Sequence, residues 1–99
     1  MRAKPVPIGD RFFPRQSDAL GFFKEMLGRY NIGETVSPDD VKDLDALLSR
    51  HRDVVGKIGC GISHYKVQSD GYGGRCFWIV RVDHSEVDFS YRRCITEIW

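Results

Sequence analysis

The apolar residues of this chain change period once, and that switch limits what it can fold into. In the first half they recur every three to four positions: Leu20, Phe23, Leu27 and Tyr30, with Ala19 and Met26 widening the stripe. That spacing predicts an amphipathic helix. Ser17 is its expected N-cap, Asp18 suits the first turn, and Gly28 and Gly33 weaken and then end it. A second helix is predicted from Ser37-Pro38-Asp39-Asp40, with Ser at the N-cap, Pro at the first helical position and acids at the positive end of the dipole. Its stripe is Val41, Leu44 and Leu48, closing on His51 near the helix C-terminus. Asp40, Asp43 and Ser49 point elsewhere, so the acidic run reads as a solvated face.

After Val55 the helical period is lost. Gly59 and Gly61 interrupt an apolar run, which predicts a bend where a Cβ is not tolerated. Ile62 to Val67 reads as a strand, Ser69 to Gly74 as a Gly-rich loop, and Arg75 to Val82 as a central strand with apolar residues on both faces. Asp83-His84-Ser85-Glu86 reads as a hairpin turn, returning through Val87, Phe89 and Tyr91. Ser90 is placed to cap a short terminal helix, Tyr91 to about Glu97, and Val6 to Phe13 adds a short extra strand. The fold class is therefore α+β: two amphipathic helices packed on a small antiparallel sheet of three to four strands, with a short C-terminal helix. At 99 residues and 41% apolar, one domain spanning 1–99 is expected.

Charge is unevenly distributed. Residues 50–81 hold six basic side chains against two acidic ones, whereas 34–49 hold one against five. A net charge of +1 argues against binding nucleic acid by bulk electrostatics and leaves room for a local basic face. No apolar run approaches the ~18–20 residues that span a bilayer. Met1-Arg2-Ala3-Lys4-Pro5 is basic with no apolar stretch behind it, so no signal peptide is read and a cytoplasmic location is expected. Cys60, Cys76 and Cys94 are odd in number and widely spaced, and His51, His64 and His84 are scattered. The expectation is reduced thiols packed as small hydrophobes, with no metal and no cofactor.

Three ordered blocks carry a family resemblance. Lys57-Ile58-Gly59-Cys60-Gly61-Ile62, Arg75-Cys76-Phe77-Trp78-Ile79-Val80-Arg81 and Asp88-Phe89-Ser90-Tyr91-Arg92-Arg93-Cys94-Ile95 resemble the DCL family, named from the plant "defective chloroplasts and leaves" protein. The resemblance is close over 57–95 and looser at Arg29-Tyr30 and Leu47-Leu48. It implies a small, bacterial-type, stand-alone member. Plant members are associated with plastid ribosomal RNA maturation, and the domain also ends the largest subunit of a plant RNA polymerase. The family brings no established catalytic residues.

The chain's own residues do not assemble a recognisable catalyst. Pro38-Asp39 resembles the opening of a nuclease motif that nothing later completes. Asp83, Glu86 and Asp88 are the one set of carboxylates that hairpin pairing would gather for Mg²⁺, although turns and edge strands attract such residues anyway. Cys60 has no adjacent general base, and Gly71-Tyr72-Gly73-Gly74 lacks the Lys of a phosphate loop. A non-catalytic binding module is expected instead, for RNA or other single-stranded nucleic acid, within RNA processing or transcription. Its expected contacts are Lys57, Lys66, Tyr72, Arg75, Arg81, Arg92 and Arg93, with Arg75 and Arg81 on one side of their strand, about 20 Å apart at ~3.3 Å per residue. The alternative is a protein-interaction or homodimerising domain using Ile95, Ile98 and Trp99.

Overall fold

The computed structural model describes residues 5–97. The elements run β1 (Val6–Ile8), β2 (Arg11–Phe13), α1 (Gln16–Gly28), α2 (Pro38–Leu48), α3 (Val54–Ile58), β3 (Ile62–Ser69), β4 (Arg75–Arg81), β5 (Glu86–Phe89) and α4 (Tyr91–Thr96). β3, β4 and β5 form an antiparallel sheet with β4 in the middle, and β1 and β2 make a separate hairpin. This is an α+β fold with a short C-terminal helix.

The single strand expected over Val6 to Phe13 is thus a hairpin, because Gly9 takes φ +59° and turns the chain at Gly9-Asp10. The other edge of the sheet is closed by the segment after α1. Gly33 and Val36 donate backbone hydrogen bonds to the Val67 and Tyr65 carbonyls, and Val67 donates to Glu34. That pairing removes an exposed strand edge.

Strand alternation sets the two faces. Tyr65, Val67, Phe77, Ile79 and Phe89 face the core with Ala19, Phe23 and Met26 of α1, Leu44, Leu47 and Leu48 of α2, and Cys94 and Ile95 of α4. The opposite face carries His64, Lys66 and Gln68 of β3, Cys76 and Trp78 of β4, and Glu86 and Asp88 of β5. Its centre is Trp78, whose indole Nε1 donates to Cys76 Sγ at 3.1 Å.

Four local expectations are corrected. α1 starts a residue before Ser17, and its N-cap is Arg15, with no side-chain cap. Ser37 is the N-cap of α2 as expected, yet its hydroxyl lies 3.1 Å from Tyr30 Oη and makes no cap bond to the helix. The acidic face of α2 is not simply solvated. Asp40 accepts from Tyr30 and Arg29, Asp43 from Arg11, and Asp45 from the buried Tyr65 hydroxyl at 2.6 Å. These carboxylates tie α2 to its neighbours. Finally, helix does not end at Val55: Lys57 and Ile58 belong to a helical turn, α3.

The two glycines do mark a bend. Gly59 caps α3 at φ +57° and Gly61 follows at φ +126°. A Cβ on Gly61 would find ordinary contact with Val82, whereas one on Gly59 would press on Arg81. Crowding is therefore confined to Gly59, and backbone strain alone argues for Gly61.

The α4 cap is as expected. Ser90 Oγ accepts from the Arg93 amide at 3.3 Å. The far end is closed from another element. Arg50, just beyond α2, donates through Nε to the Cys94 carbonyl at 2.8 Å and through Nη2 to that of Ile95 at 3.2 Å, while pairing with Glu97 at 2.8 Å. A cation on the orphaned carbonyls of a last helical turn satisfies both hydrogen bonding and the dipole.

Candidate nucleic-acid interface

The basic segment 50–81 proves to be used largely inside the fold. Arg50 closes α4 as described. Arg81 lies at the β4 end nearest α3 and donates through Nε to the Lys57 carbonyl, through Nη2 to the Gly56 carbonyl and through Nη1 to Ser85 Oγ, all at 3.1 Å. Lys66 pairs with Glu86 at 2.6 Å across the open sheet face. Lys57 Nζ donates to the Asp88 carbonyl at 2.7 Å. The expected line from Arg75 to Arg81 does lie on one side of β4, but that side carries Phe77 and Ile79 and is covered by helices. A phosphate backbone has no path there.

A different set of cations converges at the other end of β4. Lys24 of α1, Arg75 at the start of β4 and Arg92 of α4 line one groove of about 680 Å³, together with Tyr72 and Tyr91. None of the three cations is in an ion pair among the described residues, whereas Arg11, Arg29, Arg50 and Lys66 are. Arg92 stacks over the Tyr91 ring at 5.9 Å. Asp70 and Asp88 also line the groove, and the carboxylate of Asp70 is engaged by its own loop. Its Oδ1 accepts from the amides of Tyr72 at 2.7 Å and Gly74 at 3.0 Å. This turn holds the loop open with Tyr72 at its tip, 94% exposed, as expected from the sequence.

Arg93 points away from its neighbour Arg92. Successive helical residues diverge by about 100°, so Arg93 enters a second depression of about 520 Å³ with His51, Arg52, Asp53 and Lys57. His51 has its pKa lowered, first by burial and then by the Lys57 charge. The two depressions share Asp88, Phe89 and Ser90, where β5 runs into α4.

Sequence reading thus found Tyr72, Arg75 and Arg92 in the groove and missed Lys24. The missed lysine lies on α1 beside its apolar stripe and outside the basic segment, so only packing of α1 against α4 and β4 brings it to Arg75. Ile95 is wholly buried, which corrects its assignment to a partner surface; Ile98 and Trp99 lie outside the described residues.

The cysteines separate into three environments: Cys60 exposed, Cys76 on the open sheet face and Cys94 in the core. Exposed Cys60 departs from the expectation of packed thiols. Burial pushes the Cys94 thiol up to about 11, against 9.0 ordinarily. Its thiolate fraction near neutral pH then falls roughly 100-fold, before access is counted. In native protein, an alkylating reagent is expected to modify Cys60 and leave Cys94 unmodified until denaturant is added, as read by mass of tryptic peptides. Equal labelling of both in native buffer would refute this. No group of three or more His, Cys, Asp or Glu able to hold a metal is present among the described residues. Asp83 instead accepts from the Ser85 amide and hydroxyl.

Comparison with known proteins settles the family. The family model described as "Protein of unknown function (DUF3223)" matches residues 24–95. The chain belongs to the DUF3223 family. The match takes in Lys24, the groove tyrosines and both α4 arginines. Within this family the chain is similar to the tomato "Protein DCL, chloroplastic", 41% identical over 81 residues, covering 77% of this chain and 36% of that protein. It is also 34% identical over 73 residues to "DNA-directed RNA polymerase IV subunit 1" of Arabidopsis thaliana, covering 73% of this chain and 5% of that subunit. The DUF3223 fold is shared with a solution NMR structure of an uncharacterized protein from Rhodospirillum rubrum, at TM-score 0.87 and 46% identity, covering 94% of this chain and 89% of that one. The chain spans little more than a third of the tomato protein's length. The DCL resemblance of the three sequence blocks therefore holds.

Proposed function

We propose that this domain is a non-catalytic module that binds single-stranded nucleic acid, RNA in the first instance, serving RNA processing or transcription. The observation that carries the reading is the groove where Lys24, Arg75 and Arg92, from three separate elements, converge beside the exposed Tyr72. Cations in no ion pair among the described residues suit a phosphate backbone along a groove, and a projecting tyrosine suits an unstacked base, which duplexes do not offer. The polymerase subunit among its relatives accords with work on nucleic acid. The open sheet face is less suitable, because its Lys66 is already paired with Glu86.

Titration of labelled single-stranded RNA at several salt concentrations tests the proposal. Three to four phosphate contacts give a log–log salt slope of about −2 to −3, at roughly −0.7 per contact. Arg75→Ala with Arg92→Ala should flatten it by about 1.4. Tyr72→Ala should weaken binding by about 1–3 kcal/mol without changing the melting temperature. Absence of binding at ~50 mM salt and ~100 µM protein, where even non-specific binders register, would overturn the reading. Salt-insensitive self-association that depends on Ile98 and Trp99 would favour a homodimerising domain.

A further inference from the structure

The second depression shares a wall with the first, and its cations come from α3 and α4, whereas Lys24 and Arg75 come from α1 and β4. We infer that the depression holding Lys57 and Arg93 is a second phosphate subsite of the same strand, reached by crossing the β5–α4 junction at Asp88–Ser90. The inference rests on the proposed nucleic-acid reading of the first groove and specifies the ligand further: a strand long enough to occupy both sides of α4.

Three observations lead there. Arg92 and Arg93 are adjacent in sequence yet serve separate depressions, so the first turn of α4 acts as a divider with a cation in each. Successive helical positions diverge by about 100°, so a strand has to pass partway round α4 to meet both cations. Second, Lys57 is already anchored to the divider, its Nζ donating to the Asp88 carbonyl at 2.7 Å, while its remaining ammonium protons stay available to an anion. Arg93 makes no ion pair among the described residues. Third, Asp88 lines both depressions and its side chain is exposed on β5. A strand that crosses the divider passes this carboxylate, whereas a strand ending in the first groove only approaches it. Repulsion there gives the crossing a signature of opposite sign to loss of a cation.

Binding of single-stranded RNA oligonucleotides two to twelve nucleotides long, measured by fluorescence anisotropy in low salt, tests the inference. Affinity should step up by about tenfold once the strand can reach the second subsite, and the salt slope should steepen by about 1.4 for two added contacts. Lys57→Ala with Arg93→Ala should abolish that step and leave the shortest binding oligonucleotide unaffected. Arg75→Ala with Arg92→Ala should weaken every length. Asp88→Asn should tighten the long strands by several-fold and the short ones less. Far-ultraviolet circular dichroism and melting of each variant separate lost contacts from lost folding, and Asp88→Asn remains informative because it predicts a gain. Affinity that is independent of length beyond the first groove, with Lys57→Ala and Arg93→Ala silent at every length, would overturn the second subsite and leave the first intact. If no oligonucleotide binds at any length, the underlying reading fails with it.

Discussion

Phe77→Ala is expected to cost about 3–5 kcal/mol, the range for an aromatic truncated in a closed core. Phe77 sits at the middle of β4 with no exposed surface. Its ring stacks on that of Phe89, its cross-strand partner, with centroids 6.0 Å apart and planes at 23°; Tyr91 meets it edge-on at 6.3 Å and 78°. Removing the ring leaves a hole between the sheet and α4, bounded by groups already fixed by β5 pairing. Such a site collapses poorly. Domains of this size have total stabilities of about 5–15 kcal/mol. At roughly 4–8 °C per kcal/mol, the melting temperature should drop by about 12 °C or more. Tyr72→Ala, on the exposed loop, should stay within about 0.5 kcal/mol. A Phe77→Ala variant that loses under ~1.5 kcal/mol in urea unfolding would mean the core repacks around the gap.

Gly59→Val is expected to cost about 3 kcal/mol or more, from two sources that a double-mutant cycle can separate. At φ +57°, ψ −124° a β-branched residue is held in a positive-φ region outside the left-handed helical well, at about 1–3 kcal/mol. A Cβ there would also lie 2.7 Å from Arg81 Nε, displacing the guanidinium that closes the last turn of α3. Losing those charge-assisted bonds adds about 1.5–3 kcal/mol. In an Arg81→Ala background the second source is already gone, so Gly59→Val should cost only its backbone share, a coupling of about 1.5–3 kcal/mol. Gly61→Val should cost backbone strain alone, about 1–3 kcal/mol, because its Cβ would meet only Val82 at 3.8 Å. Strict additivity of Gly59→Val and Arg81→Ala would show that the clamp is energetically idle.

Periodicity and capping chemistry alone determined a good part of this molecule. The helical stripes of α1 and α2, the central place of β4, the Ser90 cap and the exposed Tyr72 loop were all legible, because each depends on residues within one element. The bend at Gly59 and Gly61 was legible for the same reason, since positive φ is a local demand. What each charged side chain does was not legible. Arg50 reaches the α4 carbonyls across more than forty residues, and Arg81 reaches those of α3 across more than twenty. Asp40, Asp43 and Asp45, spaced like a solvated face, each found a donor on another element. Long side chains choose partners by distance in space, which sequence spacing does not encode beyond one turn or one strand pair. For the same reason the run of basic residues misjudged the candidate site. Only the packing of α1, β4 and α4 decided that Lys24 joins Arg75 and Arg92, that Arg81 is occupied elsewhere, and that adjacent Arg92 and Arg93 open onto separate depressions.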